Sequence, residues 1–394
     1  MRFLHPFPAR MAPDLLDDIL RATKPGEVIL DPMVGSGTVL AKALRKNRNA
    51  IGLDMDPLAV LLSRAVASSD DVSNVQRDID AVLRAAHAKT CDYTSLPWMR
   101  SCDETLEFVD YWFGAEQACA LARLAKAIRE HRFRTAQCRR LALIALSRTI
   151  ITKHAGASLA WDISHSRPHI KKKTNDYDVF QGFARAAATV IEIANEGRPE
   201  EGGRVFKADA RHAHRFVSDV DHVITSPPYL NAIDYLRGHK FSLVWMGHTI
   251  PELRGTRAVT IGAERSPAKV DEVDVELLAR RPSLKDLPSR QRGHLTRYVG
   301  DMRRLVHSLA RCIRVKGTMT AVIGNSTVRG TYVPNSELFH AIAKKTGFEL
   351  MERYTRRIDA GRRYLPERDD SKNLDRRMRN EVVLRFKRTS LAVA

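Results

Sequence analysis

The chain has 394 residues, 44% hydrophobic and 28% charged, which suffices for a large core or for one core with an insertion. No apolar run is long enough for a membrane helix and the opening MRFLHPFPARMAP lacks a hydrophobic export region, so neither a membrane span nor export is expected. Five cysteines without a CxxC pair suit reduced thiols in a cytoplasmic setting, and a net charge of +19 points to a polyanionic partner.

Residues 14–23 carry helical apolar spacing after Pro13, and Lys24-Pro25-Gly26 stops that helix. The stretch from Glu27 to Ser68 then alternates strand, Gly-containing turn, helix, strand, turn and helix, the pattern of a parallel sheet with crossover helices. Residues 70–200 show long helical patterns, as in EQACALARLAKAIRE, without clear strands, and read as a helical insertion. Within it, residues 121–173 hold 13 Lys and Arg against two acids, Glu130 and Asp162. Such an excess favours nucleic acid, because neutralised phosphates release counterions; a solvated helical face is the bland alternative.

A second α/β block begins at RVFKADAR (204–211) and continues through DHVITSPPY (221–229). A helix over 298–314, a strand over 318–326, a helix over 335–346 and a last strand over 380–388 follow. The intervening 255–293, with scattered Gly, Pro and charge, reads as a mobile loop with one short helix. The expected organisation is therefore 1–69 and 201–394 as two parts of one α/β domain, with 70–200 inserted between them.

Three strand ends carry chemistry. DPMVGSGT (31–38) opens a helix after a strand, so Gly35 and Gly37 permit a tight turn and close ligand approach. A plain structural turn would look similar. Asp54, at the next strand end, suits a ribose diol, with Asp56 as its competitor. Asp209 follows the third strand, where it accepts from an adenine amine or caps a helix. In TSPPYL (225–230) the prolines hold the chain extended, so that Ser226, the Pro227 carbonyl and the Tyr229 ring project from a stiff loop.

In that order, DPMVGSGT, GLDMDP, KADAR and TSPPY resemble the S-adenosylmethionine-dependent amino methyltransferases of DNA, which modify cytosine N4 or adenine N6. The resemblance covers about 1–66 and 204–388, and it implies a Rossmann-like α/β methyltransferase fold with a mixed, mostly parallel seven-stranded sheet. It implies that Phe7 and Pro8 of HPFPARMAP, with Asp31, Pro32, Gly35, Ser36, Gly37 and Thr38, surround the methionine and sugar of the cofactor. Asp54 and Met55 would stand at the ribose, Asp209 and Ala210 at the adenine. Ser226, Pro227, Pro228 and Tyr229 would form the catalytic loop, with Tyr229 stacking on an extruded base. No metal is implied. By family habit Ser before Pro-Pro leans towards cytosine N4, Asp towards adenine N6 and Asn towards protein glutamine.

Two departures mark this chain. The connection between the Asp54 and Asp209 strands is far longer than a crossover needs, and almost nothing follows the last strand. Target recognition then falls to the insertion, to 255–293 or to both, the insertion being favoured, with Arg167, His169, Lys171, Lys172 and Lys173 of SHSRPHIKKK expected on phosphates and a plain solvated loop as the alternative for that stretch. The expected partner is double-stranded DNA, with a restriction endonuclease as a possible cellular companion, and the protein working as monomer or homodimer. Methylation of RNA, and a silent nucleic-acid-binding module, are the competing readings. Cys312 reads as a buried structural thiol.

Overall fold

A computed structural model describes residues 2–7, 10–88, 90, 92–152, 156–161, 163, 168–170, 173–230, 235–263, 271–279, 284, 287–328, 331–358 and 380–389. Short apolar runs ending in polar residues form the first strands: β1 is Val28–Asp31 and β2 is Asn49–Asp54. They are followed by β3 (Arg204–Lys207), β4 (Val220–Thr225), β5 (Ile313–Ile323), β6 (Phe348–Arg357) and β7 (Asn380–Arg388). These seven make one sheet in the order β6-β7-β5-β4-β1-β2-β3. The pairings of β1 with β2 and β4, of β2 with β3 and of β4 with β5 are parallel. Only β7 runs against its neighbours, β5 and β6. This is the Rossmann-like α/β sheet expected of the sequence. Because β1 lies between β2 and β4, the chain's winding reverses there, and the C-terminal ends of β1, β2 and β4 open a crevice of the kind where α/β sheets take ligands.

Helix α1 (Pro13–Arg21) turns Leu16 and Leu20, one turn apart, into the core beside Ile29 and Leu40. Helix α2 (Thr38–Leu44) returns from β1, and α3 (Pro57–Val66) from β2. Between β2 and β3 lie α4 (Val75–Ala88), α5 (Asp103–Trp112), α6 (Ala115–Glu130), α7 (Ala136–Ile150) and α8 (Val179–Gly197). After β4 come α9 (Tyr235–Leu243), α10 (Ile250–Ala258), α11 (Glu272–Ala279) and α12 (Ser289–Cys312), and α13 (Asn335–Lys345) precedes β6. Helices α4–α8 share one apolar cluster with α3, α9 and α10, through residues such as Leu58, Val82, Leu121, Leu141, Phe183, Phe241 and Leu253. The opposite face of the sheet is covered by α12 and α13.

Three expectations need correction. The stretch 70–200 does contain strand: Ala160–Trp161 pairs antiparallel with His169–Ile170 in a two-residue hairpin too short for a periodic signal. Among the described residues of 255–293 the chain is mostly helical, with the end of α10, all of α11 and the start of α12; residues 264–270, 280–283 and 285–286 lie outside the described set. The strand expected over 318–326 begins earlier, at Ile313, where exposed Arg314 and Lys316 disguise it. Cys312 is buried and its thiol donates to Ser308 O at 3.3 Å; burial pushes the thiol up to about 12.

Candidate active site

The turn between β1 and α2 is folded against the end of β2. Val34 N donates to Leu53 O at 2.9 Å, and Gly37 N donates to Val34 O at 2.9 Å. Gly35 and Gly37 take φ of 51° and 82°, left-handed values that a side chain would strain. There is also no space: a Cβ on Gly37 would stand 3.1 Å from the Ser63 backbone, and one on Gly35 would stand 3.3 Å from the Phe7 ring. The glycines thus let the turn press between α3 and the N-terminal segment.

Asp54 knits this turn together. One carboxylate oxygen accepts from Gly35 N at 2.9 Å and the other from Asp56 N at 3.0 Å. Burial raises its pKa to about 6, with the Asp56 charge adding to the shift. Asp31, at the end of β1, is 4% exposed and accepts from Met33 N at 3.2 Å. Burial raises it to about 7, and the neighbouring Asp54 charge pushes the same way. Pro32 is buried and Met55 half-buried beside them. Ser36 Oγ lies 3.2 Å from Thr38 Oγ1 and accepts from Arg10 Nε at 3.3 Å.

Over this turn sits an aromatic stack. The Phe7 ring lies 5.4 Å from Tyr235 at an 18° interplanar angle, and 5.2 Å from His239. His239 Nδ1 is 2.5 Å from Asp56 Oδ2, while Asp56 Oδ1 accepts from Leu58 N at 2.9 Å and so caps α3. Asp56, the competitor for the ribose position, is therefore occupied by a helix cap and a histidine. Asp56 and His239 also join the end of β2 to α9. Pro8 lies outside the described residues.

The loop after β4 has no regular secondary structure from Ser226 to Tyr229. Ser226 Oγ and Tyr229 OH are 3.2 Å apart. Tyr298 of α12 donates its hydroxyl to Pro228 O at 3.1 Å and so fixes the loop from below. Pro227 is buried. Burial pushes the Tyr229 phenol well above its ordinary range, so it stays neutral at any physiological pH. Tyr235 is raised in the same way, chiefly by burial, with further contributions from the nearby Tyr229, Asp54 and Asp56. The loop, the Phe7 stack and the two strand-end carboxylates therefore form one neighbourhood.

Asp209 and Ala210 stand after β3, apart from that stack. Asp209 caps a short 3-10 helix through Arg211 N at 2.9 Å, and both its oxygens accept from the Arg211 guanidinium. Arg211 in turn pairs with Asp301 at 2.5 Å. Of the five residues expected on phosphates, His169 and Lys173 are exposed, whereas Arg167, Lys171 and Lys172 lie outside the described residues. Sequence reasoning missed Tyr235, His239 and Tyr298. The first two sit six and ten residues past Tyr229, a spacing that could have suggested a helix returning to the site; Tyr298 carried no local signal.

Residues 3–64 match the family model described as DNA methylase, of the N6/N4 type. The chain is 28% identical over 130 residues to the type II methyltransferase M.MvaI of Kocuria varians, covering 32% of this chain and 29% of that protein. It is 22% identical over 289 residues to the type II methyltransferase M.BsoBI of Geobacillus stearothermophilus, covering 65% and 54%. The chain thus spans about half or less of the length of these relatives. Among solved structures, TrmN from Thermus thermophilus aligns over 96% of this chain and 49% of that one, at 11% identity and a TM-score of 0.33.

The cofactor of this family is S-adenosylmethionine, and the strand-end residues fit it. A carboxylate has about four lone-pair positions; the backbone donors Gly35 N and Asp56 N, with Met55 N also acting on it, do not exhaust those of Asp54. The left-handed glycines beside it keep side chains out of the approach. Motif order, sheet order and the match over residues 3–64 make this chain similar to the N6/N4 DNA methylases.

Proposed function

We propose that the protein transfers a methyl group from S-adenosylmethionine to the exocyclic N4 of a cytosine extruded from duplex DNA. The observation that carries this reading is the Ser226-Pro227-Pro228-Tyr229 loop beside the Asp31 and Asp54 strand ends, with Tyr298 pinning Pro228. S-adenosylmethionine, when bound, supplies a sulfonium methyl as the electrophile. Asp54 accepts the ribose hydroxyls, and Phe7 covers the Gly35 turn. Asp209 and Ala210 border the adenine; with Arg211 holding its carboxylate, Asp209 contributes a fixed edge more than a free acceptor.

An exocyclic amine conjugated to its ring is a poor nucleophile. The Ser226 hydroxyl and the Pro227 carbonyl accept its two N–H bonds, which favours a pyramidal nitrogen and stabilises the positive charge that develops on it until one of those protons is lost to water. The loop's stiffness limits the reorganisation this requires. Tyr229, neutral because buried, serves as a stacking face and hydrogen-bond partner rather than a base. Ser226 in place of Asp supports cytosine over adenine. The match of residues 3–64 to the DNA methylase model supports DNA as the polymer, and the basic stretch around 164–173 supports phosphate contact outside the loop.

The reading is tested by offering tritiated S-adenosylmethionine with duplex DNA or total RNA in parallel. Label transferred to DNA is the expected result, and label confined to RNA overturns the choice of polymer.

A further inference from the structure

Helix α9 has two working faces. Tyr235 and His239 point to the Phe7 stack, whereas Leu236, Arg237, Lys240 and Phe241 line a groove on the adjacent side. The two sites are therefore separated by the width of a single helix, about 10 Å. The groove encloses about 440 Å3 between α9, α10 and α5. Its floor is apolar and aromatic, from Trp112, Phe241 and Leu253, and its walls carry four cations: Arg237, Lys240, Arg254 and Arg257. Glu104 is the single acid among the described lining residues, and it pairs with Arg254. Lys240 also lies 4.8 Å from the Phe108 ring, so its stem is held along the groove.

A second observation gives the groove a direction. Pro168, inside the basic SHSRPHIKKK stretch, lines it as well. The α9 backbone at Gly238 packs so closely on Ile163 that an added Cβ would stand 2.9 Å from the Ile163 carbonyl. The groove thus runs from the helix behind the candidate catalytic loop to the exposed hairpin of His169 and Ile170.

We propose that this groove seats the sugar-phosphate backbone of the DNA strand that presents the target base. The inference rests on the DNA reading above and adds Arg237, Lys240 and Arg257 to it as phosphate-binding residues. An elongated site with four cations, one acid and an aromatic floor matches a polyanionic strand with ring-bearing units. The arrangement holds that strand next to the loop without occupying the cofactor's crevice.

The test is DNA binding by fluorescence anisotropy over a range of salt, using the full chain. The Arg237→Gln, Lys240→Gln, Arg257→Gln triple variant should bind at least about tenfold more weakly near 0.1 M salt. The slope of log affinity against log salt should become shallower by about one per cation removed. S-adenosylmethionine binding by calorimetry should be unchanged, which also establishes that the variant folds. Glu104→Gln should act in the opposite sense, with tighter and more salt-sensitive binding, a change that misfolding cannot imitate. If wild type binds DNA with a normal salt slope and the triple variant matches it, the groove assignment is overturned while the DNA reading stands. If wild type binds no DNA, both fall, and if the same losses appear for RNA alone, the DNA occupant is wrong.

Discussion

Asp54 is held between two demands: its burial favours the protonated acid, while the ribose contact proposed for it requires an acceptor. Its pKa of about 6, and the value of about 7 for Asp31, lie above the ordinary carboxylate value near 4. A raised acid pKa stabilises the fold most at low pH, and that contribution fades as pH rises through the folded value. The cofactor-free protein should therefore lose stability from these two groups between about pH 4 and 7. Asp31→Asn should reduce the stability difference between pH 5 and pH 8 in urea titrations, and an unchanged difference contradicts the assignment. Cofactor affinity should follow the opposite trend, rising from pH 5 to 7 as Asp54 ionises, and Asp54→Asn should bind weakly with a flat profile in calorimetry. Tyr298→Phe deletes the hydroxyl on Pro228 O, a bond worth about 1 kcal/mol. A roughly fivefold fall in turnover with unchanged cofactor affinity is expected; equal losses in both would place Tyr298 in general folding instead. At this scale the residues that touch the crevice from their own strand ends were legible. Those that arrive from elsewhere, such as Tyr298 some 70 positions after Tyr229, were not, because only the folded sheet brings them together.

Among the elements, those with regular apolar periodicity were read correctly from the sequence. Helix α13 and strand β7 fall where the pattern put them, at Asn335–Lys345 and Asn380–Arg388. Helix α11 supplies the one short helix expected within 255–293, but its place was not legible for a physical reason: it is anchored less by an apolar stripe than by buried Asp274, which accepts from Arg303 Nε of α12 at 2.8 Å. A charge that pairs across 29 residues looks, in one dimension, like a loop residue. Helix α10 begins with a capping box, in which Thr249 Oγ1 accepts from Glu252 N at 3.4 Å and Glu252 reaches back to Thr249 N at 3.0 Å. Thr249→Ala should cost about 1 kcal/mol in denaturant unfolding. Because α10 carries Arg254 and Arg257, the same variant should weaken DNA binding modestly while leaving cofactor affinity alone.

For the molecule as a whole, charge and core pull the long connection in two directions. Its basic surface suggests a detachable recognition unit, yet its helices share a continuous apolar cluster with α3, α9 and α10. Leu58 and Leu62 of α3 are 0% and 1% exposed within that cluster. A chain lacking 70–200 should consequently expose the α3 face and fail to melt cooperatively; a sharp calorimetric transition in that deletion would contradict the shared core. Composition could signal the partner but not this packing, since helical periodicity tells which face is apolar and not what covers it.

The central claim is that Ser226 and its loop act on the N4 of cytosine in DNA. It is tested most directly by incubating the protein with S-adenosylmethionine and unmethylated genomic DNA, then analysing nucleosides by mass spectrometry beside Ser226→Ala and Tyr229→Ala. The expected result is N4-methylcytosine from wild type, lost or strongly reduced in both variants. N6-methyladenine would keep the loop and overturn the base, and a DNA free of any new methylated nucleoside would contradict the account.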